Sequence, residues 1–549
     1  MISCDVLAVG AGPTGLTLAI ELRRRGVDVL LIDALEAPRH WDRATVVHSR
    51  SLEIFEALGI VDEFRAAGAP QRAARLHSGG EVLVEVDFSA SGAPHAYNVG
   101  LSEEATEGFL TTKLESLGGS IERATRFLRM SQEDEGVTAT VERSGHEEEV
   151  RAKWIVGCGG YHSPVREALG IEMEGHDIED PWAVFDVTLA GRDDDFETTL
   201  VYLEETMVIL TPLPGHRFRV YTRPTTDDAD FVAEATAVLA RYLPGQELTE
   251  IENPSRFRCH AKVATHYRQG RALLAGDAAH VCSPSQGHGM NSGIGDAFNL
   301  GWKLALVCEG DADPGLLDSY EVERRPVAVE VVGAGEGMEE IGRFEGEDGR
   351  VRRDDEVRSA LSDPAAVHNE AAAEAELNIA YRGSPIVVAR GAAGEDPSLT
   401  NSVEVRSGPS PAAFEPGNGL AALGAGDRLP DLGPVRAGEG EPERRLHELT
   451  HRTGHTLLVV AVGDGGDELA RLHARLEALV ARSPLFDAVF ALATGSDYLP
   501  YGSIHADAAA ALGVASLAVF AVRPDRHVGL IAEPATLADV ESYEALIRG

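Results

Sequence analysis

The run from Gly276 to Leu304, GDAAHVCSPSQGHGMNSGIGDAFNLGWKL, sets a leading carboxylate, Asp277, beside a concentration of glycines and small polar residues. It follows the apolar, strand-like Ala272 to Ala275, so Asp277 is held at a strand end, where it can accept a hydrogen bond from a ligand. Gly287, Gly289, Gly293 and Gly295, with Ser285, Asn291 and Ser292 among them, carry too little side chain to fill a core. Such a loop brings backbone N–H groups against a ligand. The helix expected after it, with Leu300, Leu304 and Val307 on one side, adds the positive end of its dipole. An anion, or a ring that becomes anionic on reduction, is stabilised in that setting. The competing reading is a Gly-rich turn that only lets two elements pack.

A second segment supplies complementary chemistry. Cys4 to Val9 has the pattern of a buried parallel strand, Gly10-Ala11-Gly12-Pro13-Thr14-Gly15 that of a tight turn, and Leu16 to Arg25 that of a helix. Gly10 allows the turn, Gly12 lets a pyrophosphate reach the backbone, and Gly15 lets helix and strand pack closely. The next strand, Val27 to Ile32, ends in Asp33, where a carboxylate can accept the hydroxyls of an adenosine ribose. The expectation is dinucleotide binding.

Together these segments resemble the class A FAD-dependent aromatic hydroxylases related to para-hydroxybenzoate hydroxylase and phenol hydroxylase, over nearly the whole chain. The resemblance implies FAD as cofactor, with Gly10, Gly12, Gly15 and Asp33 as the adenosine diphosphate clamp and Arg43 packed against the cofactor. It gives Asp277 the ribityl chain, lays Pro284 and Gly287 over the flavin, and sets the Gly289-Met290-Asn291 backbone at the pyrimidine edge. Glu103 falls where relatives carry a neutral amide near the flavin. In Gly159-Gly160-Tyr161-His162-Ser163-Pro164-Val165-Arg166 the family's Asp-Gly is Gly159-Gly160 and its following arginine is His162, while Ser163 and Arg166 fit. That segment serves flavin and nicotinamide binding in the family, so the change bears on the reductant, NADPH or NADH, more than on FAD.

The implied reaction is hydroxylation of a phenolic or polycyclic, polyketide-like aromatic with O2 and NAD(P)H through a flavin C4a-hydroperoxide. Baeyer–Villiger or epoxidising chemistry uses the same oxidant, and a non-oxygenating flavin-binding or scaffold protein is the alternative of another class. No residue stands out as a base for the substrate. His288, where relatives often carry Gln or an aromatic, is the candidate catalytic side chain, placed near a pocket mouth.

The elements that must position these residues follow an α/β order. The implied fold is a Rossmann-like FAD-binding domain (1–179 and 266–409, the return including a helical region) interrupted by an antiparallel-sheet substrate domain (180–265), then a thioredoxin-like C-terminal domain (410–549). Strands near Trp182 to Val187, Leu200 to Leu210 and Phe218 to Tyr221 can wall a substrate pocket, with Phe185, Tyr202, Met207 and Tyr221 as candidate lining. The acidic stretch Glu336 to Glu356 reads as a solvated loop between helices. The last domain has no cysteine, since the five cysteines lie at 4, 158, 259, 282 and 308. Dithiol exchange is therefore excluded for it, which leaves packing, stability or assembly.

Composition narrows the partners. With 89 acidic against 49 basic residues, the formal charge of −40 repels nucleic acid and anionic membrane. Met1 to Val9 carries no basic, signal-like region, and no apolar run of membrane-spanning length occurs, so a cytoplasmic protein is expected. The cysteines form no paired framework, and the histidines have no metal-ligand spacing, so no metal is expected. A homodimer is compatible with the resemblance.

Overall fold

The computed structural model describes residues 2–38, 44–190, 196–344, 346–391, 423–438, 440–495 and 501–549. Its central sheet runs, edge to edge, through Arg268–Gln269, Ala272–Leu274, His146–Gly157, Ile2–Val9, Val29–Ile32 and Ile121–Glu122. Ile2–Val9 is parallel to both neighbours, Val6 standing opposite Trp154 on one side and Val29 on the other. Both faces are covered, so Val6, Leu7 and Ala8 are fully buried, and the run is continuously apolar where a half-exposed strand would alternate. The hairpin Thr125–Glu133 and Gly136–Arg143 extends this sheet in antiparallel fashion. Pro13–Arg23 and His288–Glu309 pack together on it, which brings the starts of both helices to the same edge.

A second sheet runs Glu247–Phe257, Trp182–Ala190, Arg217–Thr222, Val208–Leu213, Thr198–Tyr202, Ala73–Ser78 and Glu81–Asp87. The last two strands come from the chain well before residue 180, and Ala73–Ser78 joins Thr198–Tyr202 in parallel. The insertion is thus shared between two separate stretches of sequence.

The stretch read as an acidic loop is helical. Asp318–Ile341 continues through it, and Gly346–Ala360 follows. Tertiary contacts decide this. The Arg353 guanidinium is buried and donates to the Leu203 carbonyl and Ser78 Oγ of the second sheet, and Val357 packs into that sheet's core. A third sheet closes the chain: Val388–Gly391, Val528–Glu533, Leu517–Val522, His455–Ala461, Phe486–Ala493, Gly502–Ile504, Val435–Arg436 and Glu443–Arg444. Its two faces bury separate apolar clusters, one containing Leu457, Leu476 and Tyr543, the other Leu458, Phe520 and Leu446. Among the described residues, no helix is long and apolar enough to cross a membrane.

Candidate functional site

The first turn shows which glycines serve packing and which serves access. Gly10 has φ +110°, and a Cβ there would stand 2.5 Å from the Cys158 carbonyl oxygen. At Gly15 a Cβ would stand 1.9 Å from the Gly10 carbonyl oxygen. Both positions exclude any side chain. Gly12 differs: its Cβ would meet only Glu107 Oε1, at 3.8 Å, and as N-cap of Pro13–Arg23 it offers no side chain to the first-turn N–H groups. That is an open helix start suited to an anion. Asp33 uses its oxygens to hold the turn, Oδ2 accepting from the Ala11 N–H at 2.8 Å and Oδ1 from Leu35 N–H at 2.8 Å, with Arg123 at 4.0 Å.

The second Gly-rich segment packs directly onto the first. Gly276 and Gly293 both face Thr14, where an added Cβ would approach Thr14 Oγ1 to 2.5 and 2.4 Å. Asp277 sits exposed in the 3-10 turn Gly276–Ala278, and Pro284 opens another, Pro284–Gln286. Gly287 takes a left-handed conformation, φ +73°, beside Val46 and His48. The helix then begins at His288, so Gly289, Met290 and Asn291 belong to its first turn and not to a preceding loop. The glycines lower helix propensity, yet close packing overrides it: Gly293 lies on Thr14, Gly295 on the Arg324 guanidinium and Gly301 on Glu21. Asn291 pins the segment, its amide donating to Val46 O (2.9 Å) and Gly287 O (2.8 Å) and accepting from His48 N–H (2.9 Å).

Behind this lies a residue that the sequence reading passed over. Asp296 is fully buried, accepts from the Gly276 N–H at 3.0 Å, and pairs with His280 Nε2 at 2.8 Å and Arg324 Nε at 2.7 Å. Burial pushes its carboxyl up, but His280 and Arg324 outweigh that and the net direction is down. The signal available in sequence was its spacing, two turns of helix from the Gly287 start, opposite Arg324 in Glu323-Arg324-Arg325.

The substrate sheet divides the candidate lining. Phe185 and Tyr202 point to the face covered by the helix Phe231–Tyr242, where Phe185 meets Phe231 and Tyr202 meets Tyr242. They are core of the outer layer and do not line a cavity beside the Gly-rich segments. Met207 and Tyr221 lie on the opposite face with Ile209 and Cys259. There the Tyr221 hydroxyl reaches Thr45 Oγ1 at 3.0 Å, across to the nucleotide domain. The alternation of a strand forces this split, since neighbouring residues face opposite ways. Glu339 closes the inner face: its Oε1 accepts from Trp182 Nε1 (2.7 Å) and Ser283 Oγ (2.6 Å), tying sheet to cofactor segment.

The changed Gly159-Gly160 segment carries a further cluster. The Tyr161 ring stacks on His260 at 4.1 Å, Lys262 donates to the Tyr161 hydroxyl at 3.3 Å, and Asp177 bridges His260 (2.7 Å) and Lys262 (2.5 Å). His162 lies exposed beside Tyr161, and Arg166 donates to the Ala278 carbonyl at 3.0 Å, joining the cluster to the Asp277 turn. Lys262 is thus paired with Asp177 and Arg166 is buried on backbone carbonyls, beside the rings of Tyr161, His162 and His260.

Two expected residues stand differently. His288 is buried and bonded to Glu376, 3.1 Å from Nδ1, and not exposed at a pocket mouth. Glu103 begins the helix Glu103–Ser116, where Ser102 caps the Ala105 N–H and acids suit the dipole. Arg43 lies outside the described residues.

Comparison with known proteins completes the description. A family model described as an FAD binding domain matches residues 3–334. Pentachlorophenol 4-monooxygenase of Sphingobium chlorophenolicum is 30% identical over 515 residues, covering 91% of this chain and 88% of that protein. 6-methylpretetramide 4-monooxygenase of Streptomyces rimosus is 38% identical over 332 residues, 59% of each chain. Among solved structures, a ternary complex of aklavinone-11 hydroxylase with FAD and aklavinone is similar with a TM-score of 0.75 at 27% identity, covering 99% of this chain and 98% of that one. The OxyS anhydrotetracycline hydroxylase from Streptomyces rimosus gives 0.71 at 27%, covering 100% and 99%.

Proposed function

The chain belongs to the class A FAD-dependent aromatic hydroxylases, and from that premise we propose that it places one atom of O2 on a phenolic or fused-ring polyketide substrate at the expense of NAD(P)H. The observation that carries this is the contact of the two Gly-rich segments through Thr14, which sets two helix starts and Asp277 along one edge, with nearby Ser283 tied through Glu339 to Trp182 of the second sheet.

The residues fit FAD. Gly12 leaves the first helix start open to a pyrophosphate, and the ribose falls to Asp33, whose carboxylate keeps lone pairs beyond the two it gives the backbone. The exposed Asp277 accepts from the ribityl chain. Pro284, Gly287 and the Gly289-to-Asn291 backbone face the ring, and Asn291, fully used by Val46, Gly287 and His48, keeps that backbone in place. Glu103 and Arg43 complete the cofactor contacts in this reading.

When bound and reduced, FAD supplies the O2 activation and oxygen transfer. The protein orients the aromatic ring against the sheet face bearing Met207 and Tyr221, and excludes water there through the Trp182, Glu339 and Ser283 closure. The nicotinamide dinucleotide docks on the surface of Tyr161, His162, His260 and Lys262, where stacking and positive charge are both available. NADPH and NADH are distinguished there. The C-terminal unit is thioredoxin-like in this reading, supported by the parallel pair His455–Ala461 and Phe486–Ala493 beside antiparallel Leu517–Val522 and Val528–Glu533. Its role is support. A cytoplasmic location, with a reducing NAD(P)H supply, fits the free cysteines.

The test is product analysis. FAD-loaded protein is given NADPH or NADH, 18O2 and a panel of phenols, fused-ring quinones and ketones. The expected result is substrate-stimulated nicotinamide oxidation with one labelled oxygen in a ring hydroxyl. Label in a lactone replaces hydroxylation by Baeyer–Villiger insertion, and no stimulation by any member of the panel overturns the assignment.

A further inference from the structure

Three separate segments of the chain converge at the start of the long helix in a buried cluster of two histidines and a glutamate. His48 is fully buried. Its Nε2 lies 3.1 Å from the Gln286 carbonyl oxygen, and its Nδ1 is buried without a hydrogen-bond partner. The ring meets His288 edge-on, with centroids 4.8 Å apart and planes at 83°. His288 Nδ1 is 3.1 Å from a Glu376 carboxylate oxygen, and both residues are buried. The helix Pro364–Glu374 brings the charges of Glu370 and Glu374 to bear on the same imidazole. Beside Glu376, a small cavity of mixed lining is bounded by Arg324, Tyr381, Phe298, Ile379 and His527.

These surroundings drive the two imidazoles apart. Burial, and then the neighbouring His288, push His48 well below the ordinary value, so it is neutral. Burial also lowers His288, but the hydrogen bond and charge of Glu376, with Glu374 and Glu370 behind it, outweigh burial and raise it. Burial pushes the Glu374 carboxyl up to about 7, so its ionisation as pH rises through that value reinforces the proton on His288. Adjacent groups separated in this way hold one proton at a defined place.

We propose that His288 is an electrostatic positioning residue of the cofactor site: held by Glu376 as an imidazolium at the first position of the long helix, it favours the reduced, anionic flavin ring over the oxidised, neutral one. The proposal rests on the reading that Pro284 to Asn291 faces the isoalloxazine. Reduction moves a hydride, two electrons and one proton, from NAD(P)H, which leaves as NAD(P)+. The ring therefore gains one negative charge unless it takes up a second proton. The imidazolium end of the His288–Glu376 pair, added to the dipole of the helix start, offsets that charge in a medium of low effective dielectric. His48, neutral and wedged between Gln286 and His288, fixes the orientation of the imidazolium. The same three side chains offer ligand atoms within 4.8 Å of one another. The edge-to-face rings and the His288–Glu376 bond favour a held proton over a cation.

The experiment uses the full-length, FAD-loaded protein and its His288→Gln, His288→Lys and Glu376→Gln variants. Flavin midpoint potentials are measured by spectroelectrochemistry from pH 6 to 9, alongside FAD dissociation constants. His288→Gln and Glu376→Gln are expected to lose about tenfold of the preference for reduced over oxidised flavin, roughly 30 mV for a two-electron couple, and His288→Lys to restore it. A group whose value is raised in the folded protein carries its charge below that value and loses it above, so the wild-type potential should fall toward that of His288→Gln as pH climbs through the His288 titration. Titration of labelled imidazole by NMR in the wild-type holoprotein should find His288 above the ordinary histidine value. A His288→Gln protein with wild-type potential and wild-type FAD affinity overturns this inference alone, whereas a wild-type chain that holds no FAD overturns the site reading beneath it. Where the glutamine variants do not fold, the NMR titration decides, and a His288 at or below the ordinary value sinks the proposal. Stoichiometric zinc or iron bound by His48, His288 and Glu376 overturns it equally.

Discussion

Asp296 and Glu323 are both fully buried carboxylates that bind an arginine and a second basic side chain, yet they sit in regions with different work. Asp296 holds His280, Arg324 and the Gly276 N–H, directly behind the second Gly-rich segment. Glu323, one residue before Arg324, holds Lys303 (2.7 Å) and a bidentate Arg523 (2.7 and 2.8 Å) from the C-terminal unit, with Asn299 and Ser384 on the same oxygens. Around it Asp525 accepts from Asn299 and Trp302, and Arg50 reaches the Asp525 carbonyl oxygen at 2.7 Å. One network holds the Gly276 turn; the other joins the long helices to the C-terminal sheet. The lesson is that chemically similar buried ion clusters contribute to different observables, because one ends on the backbone of the site and the other on a neighbouring unit.

The comparison is broken most severely at Asp296. Asp296→Ala leaves the Arg324 guanidinium buried with Tyr381 and Ser292 as partners but no counter-ion, a loss of about 3–5 kcal/mol. It also frees the Gly276 turn. Thermal unfolding followed by circular dichroism should show the full drop, and purified protein should carry little FAD.

Glu323→Ala should cost less, roughly 2–3 kcal/mol. Arg523 keeps Asp525, and Lys303, whose value burial holds down at about 8, can shed its proton when its partner is removed. FAD affinity should stay close to wild type. If flavin is lost as readily as from Asp296→Ala, seam and site are one cooperative unit and the distinction fails.

The finest cut is Asp277→Ala, at the exposed end of the first network's turn. The fold should be unchanged, and FAD should bind about 1–3 kcal/mol more weakly, roughly five- to more than a hundredfold. Excess FAD should restore part of the activity. Flavin fluorescence on dilution measures the release. A folded variant with wild-type affinity would remove Asp277 from the cofactor site.

What could be read ahead of the structure followed the range of the forces involved. The Gly10 and Gly15 positions were legible because a Gly-rich turn between strand and helix has its own local pattern, although the carbonyl that excludes a side chain at Gly10 comes from Cys158, at the end of a strand distant in sequence. The buried strands showed as apolar runs. Phe185 and Tyr202 were not separable from Met207 and Tyr221 by residue type, since all four are large and apolar in body. Only the packing of Phe231–Tyr242 on one side says which face is outer. Arg523-Pro524-Asp525 joins the strands Leu517–Val522 and Val528–Glu533, a place where charged residues are ordinarily exposed. It is instead buried, because Glu323, Asn299 and Trp302 on distant helices complete its hydrogen bonds.

By itself, then, the sequence determined the Gly-rich turn between strand and helix, the main apolar strands, the absence of cysteine after Cys308 and the family. Each of these depends on residues within a few positions of one another or on composition. Tertiary structure decided where the long helix starts, which sheet face meets the cofactor segment, and which acids and bases share a proton. His48, His288 and Glu376 are remote in sequence, as are Glu323 and Arg523. Their charges acquire meaning only when folding removes water from between them, and a one-residue change of strand or helix register would turn any of them away.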